Sequence, residues 1–192
     1  MEKEEKKRLS KIGRKHAAFL LGSITLWGAS DLWANSTGWI FAESITLINA
    51  IVAGTITATI FHEWGHFLGA RIGSSNSPVM EKTISFFFFN FKDEENTKAQ
   101  FLKMSAGGPL ANWLLVIAIF MLLPLDSWSQ TLLLATVFSI AVSVSIFEIP
   151  VMLRVKEGTP SEIVQKRLQE AGSTPRNLGI LAGAILWMVA IY

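Results

Sequence analysis

The 192-residue chain has no cysteine. Disulfides and thiolate metal sites are therefore both excluded, and any metal must be held by histidine and carboxylate. Histidine is scarce too, with only His16, His62 and His66 in the chain. Charged residues make up 17% of the sequence and fall mostly between long apolar runs, whereas an ordinary soluble domain carries about a quarter. The formal net charge is only +2, so nucleic acid is not an expected partner. No internal repeat divides the chain into matching halves, which argues against a transporter built from repeated units.

What the chain does have is apolar length. Hydrophobic residues make up 51%, with thirteen Phe and seven Trp. This composition predicts an all-α polytopic membrane protein whose partner is the lipid bilayer. About five transmembrane helices are expected, near 17–33, 44–70, 101–125, 131–153 and 178–192. They would form one membrane-embedded domain over 17–192, preceded by a basic cytoplasmic head at 1–16. The first apolar run has no clear small-residue cleavage site after it and reads as a retained anchor.

Several polar residues within this pattern need an account. His16 lies where the head meets the first span and reads as an interfacial residue. Asp31 sits at the far end of that span between Trp27 and Trp33, and is expected to snorkel to water. Between spans two and three, residues 79–91 carry the aromatic run Ser85-Phe86-Phe87-Phe88-Phe89-Asn90-Phe91. It is too short to cross as a helix and rich in β propensity, so it predicts one or two membrane-associated strands or an aromatic anchor. Span three opens on Gly107-Gly108-Pro109, which allows close backbone approach and a local break in the helix. Asn112 follows and needs a hydrogen-bond partner in apolar surroundings. After span four, residues 161–170 predict an amphipathic helix capped by Ser161 or Thr159.

All 17 Lys and Arg residues lie in the head, in 71–103 or in 154–176. The connections at 34–43 and 124–130 have none. The positive-inside rule then puts the N-terminus and both basic loops in the cytoplasm. A bacterial cytoplasmic membrane is the expected location.

The chemistry concentrates in His62-Glu63-Trp64-Gly65-His66, which reads H-E-x-x-H. Residues four apart share a helix face, so His62 and His66 can offer imidazole nitrogen to one ion beside Glu63. This arrangement points to Zn2+ with a carboxylate base. Two histidines and a glutamate inside a bilayer-length segment are costly unless they serve a function. The structural alternative is a pair of histidines packing against neighbouring helices.

With its Gly65 before the second histidine, and with Gly108-Pro109-Leu110-Ala111-Asn112 opening the next span, the chain resembles the site-2 protease family of intramembrane zinc metalloproteases. The resemblance covers about residues 44–125. It implies zinc held by His62 and His66, Glu63 as catalytic base, and hydrolysis of membrane-associated protein substrates near the cytoplasmic side. Asn112 is then a candidate for holding substrate backbone. The chain departs from the family at the third ligand, usually an Asp in an L-D-G or S-D-G segment. Here Glu148, Glu157 and Glu162 are the available carboxylates. Glu148 is favoured, because it alone is embedded in apolar sequence and would otherwise be an unpaired buried charge. The same departure leaves a second reading open, a catalytically inactive zinc-binding membrane protein that binds client helices.

Overall fold

The protein is described by a computed structural model over residues 3–191. It is mostly helical: α1 spans Lys3–Thr37, α2 Ile40–Ile72, α3 Lys98–Leu122, α4 Trp128–Leu153, α5 Pro160–Ala171 and α6 Thr174–Ile191. An antiparallel hairpin of β1 (Val79–Ile84) and β2 (Phe87–Phe89) lies between α2 and α3, followed by a short 3-10 turn at Asp93–Glu95. The strand alternative for the aromatic run is the one adopted, with Val79 paired to Phe89 and Ile84 to Phe87.

Among the described residues, four helices are long and apolar enough to cross a membrane: α2, α3, α4 and α6. Of the five expected spans, the first, which falls in α1, is not among these four. The first half of α1 is the basic head, continuous with the rest of the helix, and its second half is diluted by Gly22, Gly28, Ser23, Ser30 and Asp31. Even so, α1 runs the length of the bundle. Near one end Arg8 pairs with Glu81 at 3.2 Å and Arg71 with Glu5 at 2.7 Å. At the other, Asp31 meets the start of α4.

That second contact corrects the reading of Asp31 as a snorkelling residue. Its carboxylate is buried and accepts from Ser127 Oγ at 2.9 Å, from Gln130 Nε2 and Asn35 Nδ2 at 3.3 Å each, and from Ser129. A buried carboxylate is tolerable when so many donors surround it. They come largely from the first turn of α4, whose exposed N–H groups also favour negative charge. His16 is corrected in the same way. It is buried, its Nδ1 accepts from Trp64 Nε1–H at 3.0 Å, and Phe86 and Phe88 pack edge-on against its ring.

α2 is the hub of the bundle and packs against α1, α3 and α4, while α6 rests on α4. The α2–α3 crossing depends on absent side chains. A β-carbon on Gly65 would collide with the Gly107 carbonyl, and one on Gly69 with the Lys103 carbonyl. Gly179 and Gly183 play the same part where α6 meets Ser139 and Ser143 of α4. Small residues four apart let helix backbones approach in lipid, where packing rather than water exclusion drives association. The local break that Pro109 allows is not taken, and α3 runs through it from a capping box of Thr97 and Gln100. Phe88 and Phe89 are buried against Phe67, which seats the hairpin beneath the His-bearing end of α2.

Candidate metal centre

Three helices meet at His62 and His66. α2 supplies the two imidazoles one turn apart, and α4 supplies Glu148 from near its C-terminal end. His62 Nε2 lies 3.0 Å from His66 Nε2 and 3.0 Å from Glu148 Oε1, and His66 Nε2 lies 3.3 Å from the same oxygen. The side chains are 13% exposed.

α3 contributes space and orientation. A β-carbon on Gly108 would sit 2.5 Å from His66 Nε2 and 2.7 Å from His62 Cε1, so only glycine leaves room for both rings. His66 Nδ1 is 2.8 Å from the Met104 carbonyl. A carbonyl can only accept, so Nδ1 carries the proton and Nε2 presents its lone pair to the centre.

The Met104 contact makes His66 Nε2 an acceptor facing the Glu148 carboxylate, and such a group of atoms is stable only when a proton or a metal ion is shared among them. Ligands of a tetrahedral ion with bonds of about 2.0–2.1 Å stand about 3.3 Å apart, close to the observed separations. His62, His66 and Glu148 could thus hold a metal ion. The donor set of two imidazoles and one carboxylate suits a borderline ion and leaves a coordination position free.

Glu63 follows His62 on the same turn, and its Oε2 is buried without a hydrogen-bond partner among the described residues. Glu148 Oε2 is likewise buried and unpartnered. Asn112 is fully buried, one turn beyond Gly108 on α3, and neither its amide nitrogen nor its oxygen has a partner among the described residues. The partner that its apolar surroundings call for is thus not supplied by the described residues.

The structure brings Glu148 to the histidines and leaves the other two candidate carboxylates elsewhere. Glu157 is exposed between α4 and α5. Glu162 is exposed and closes a capping box with Thr159, so the Thr159 backbone N–H holds its carboxyl below the ordinary carboxylate value. Thr159, not Ser161, is the cap.

Sequence reasoning missed the Met104 carbonyl, because a backbone acceptor leaves no residue signature. It also missed the His16–Trp64 bond, which braces the helix turn carrying Glu63. It overlooked Gly65-x-x-x-Gly69 as well, although that small-residue spacing was there to be read. No protein family, curated protein or solved structure matches the chain.

Proposed function

We propose that the protein is an intramembrane zinc metallopeptidase, with His62, His66 and Glu148 as ligands and Glu63 as general base. The convergence of His62 Nε2, His66 Nε2 and Glu148 Oε1 within 3.3 Å carries the reading. Glu148 comes from a different helix, more than 80 residues after His62 and His66, and a packing role for the histidines alone does not account for a carboxylate brought to both rings.

Zinc bound there supplies a Lewis acid for the scissile carbonyl and lowers the pKa of its water toward about 7. Glu63, with a buried oxygen that no group among the described residues engages, would take the water proton and deliver it to the leaving amine. The unpartnered Asn112 amide offers one donor and one acceptor to an extended substrate backbone. A helical substrate hides its carbonyls in intrahelical bonds, so segments that unwind easily are the preferred substrates. The hairpin beneath α2 offers a strand edge to the unwound peptide.

The reading includes α1 as a fifth crossing. Its 35 residues measure about 50 Å, and the donors around Asp31 keep that carboxylate away from lipid. The basic head and both basic loops then share the cytoplasmic side with the metal centre.

The test is Glu63→Gln. The purified variant retains zinc at wild-type stoichiometry, while cleavage of a reconstituted membrane-peptide substrate falls by at least about 100-fold. Wild-type turnover by Glu63→Gln would remove the peptidase assignment.

A further inference from the structure

Pro150 lies inside α4, two residues after Glu148. Having no N–H, it leaves the carbonyl of Ile146, four residues earlier, without its intrahelical donor. An orphaned carbonyl two residues from a metal ligand would let that part of the helix bend or fray.

The structure fills the gap from outside the helix. Arg167 of α5 donates from Nη2 to the Ile146 carbonyl at 2.8 Å and from Nε to the Phe147 carbonyl at 3.4 Å. Its guanidinium carbon lies 6.0 Å from the centre of the Phe147 ring. The two carbonyls belong to the residues immediately before Glu148, so the guanidinium clasps the backbone from which the carboxylate projects.

α5 is built to deliver that side chain. It begins with Pro160 in its first turn and the Thr159–Glu162 capping box. One turn before Arg167, Ile163 is buried against Phe101, Val151 and Val155. Residues 163 and 167 share a face, so packing at Ile163 aims Arg167 at α4. The fork geometry matters, because a guanidinium reaches two carbonyls at once and an ammonium on a flexible stem does not hold both in register.

We infer that Arg167 is a positioning residue for the metal centre: it replaces the hydrogen bond lost at Pro150 and holds the α4 turn that aims Glu148 at His62 and His66. The inference rests on the metal-centre reading but not on peptidase activity. It assigns α5 a role that neither the H-E-x-x-H motif nor the ligand set requires.

Zinc affinity of the full detergent-solubilised chain, measured by competition with a chromophoric chelator, is the test. Arg167→Ala is expected to weaken zinc binding by about 10–100-fold, the range typical of groups that orient ligands, with far-UV helicity unchanged. Arg167→Lys falls between the two. Pro150→Ala restores an N–H to the Ile146 carbonyl, so Pro150→Ala/Arg167→Ala recovers most of the lost affinity. A merely structural role for Arg167 would give no such rescue. Wild-type affinity in Arg167→Ala overturns the inference, as does a double variant no better than Arg167→Ala alone. If Arg167→Ala loses helicity, Arg167→Lys and the double variant decide by the same criteria. A wild-type chain that takes up no zinc removes the metal centre itself and this role with it.

Discussion

At Gly108 the imidazoles of His62 and His66 occupy the space where any other residue would place its β-carbon. The glycine lies in a turn of α3 that contributes no ligand, so its effect is purely steric. Gly108→Ala must push at least one ring off the ligand triangle, because the clash is with ring atoms of a short side chain already hydrogen-bonded to Met104. Zinc affinity is expected to drop by about 10–100-fold with helicity retained, and chelator competition measures it. Wild-type affinity in Gly108→Ala would mean that the rings are not held where the ion needs them. The two histidines and Glu63 were legible because one helical turn sets their spacing. Glu148 was legible by a different route, as a charge with no business in an apolar run unless it had a partner. Asp31 and His16 show where that logic stopped. Each sits next to a plausible water boundary, so the sequence alone could not tell exposure from burial, and both are buried through partners distant in sequence: Ser127 and Ser129 for Asp31, Trp64 and Phe88 for His16.

α2 carries His62 and His66, and its crossing with α3 decides whether Gly108 reaches them. Gly65 is the pivot, since its backbone lies directly against that of Gly107. Gly65→Val pushes two backbones apart at a point where neither can yield by changing rotamer. A loss of about 1–3 kcal/mol in stability is expected from such overpacking, read from thermal unfolding in detergent, together with loss of zinc. A matched Gly28→Val, at a glycine with open space around it, should leave both unchanged. The cores of α2, α3 and α4 could be read directly from apolar length, and their ends fall within a few residues of expectation. α1 was harder, because its basic head and its small-residue half form one unbroken helix. At Pro109 the sequence left a break possible, and α3 continues through a residue that destabilises isolated helices.

Across the whole molecule, the basic residues and the His62–His66–Glu148 group are sorted to one end. The head and both basic segments converge there, tied by Arg71 to Glu5, Arg8 to Glu81, and Lys98 Nζ to the Lys156 carbonyl at 3.3 Å. The Asp31 cluster lies at the other end, with no Lys or Arg in the connections around it. The sorting was visible in the sequence as three basic stretches, but their convergence required the fold. It also sets up a clean test of whether α1 crosses the membrane. Because the chain has no cysteine, every single-cysteine variant carries one reporter thiol. Ser10, Thr37, Glu94, Asp126 and Ser173 are all exposed, and none is a candidate ligand or base. If α1, α2, α3, α4 and α6 all cross, a membrane-impermeant maleimide labels Thr37→Cys and Asp126→Cys in intact cells. Ser10→Cys, Glu94→Cys and Ser173→Cys then label only after permeabilisation. With four crossings, Ser10 and Thr37 lie on the same side, so labelling of both in intact cells would place α1 along the surface. That arrangement would lay the Asp31 cluster and the Arg8–Glu81 pair on one face of the membrane. Both could not then sit at opposite ends of a bundle that α2 spans, so the five-crossing pattern is the expected result.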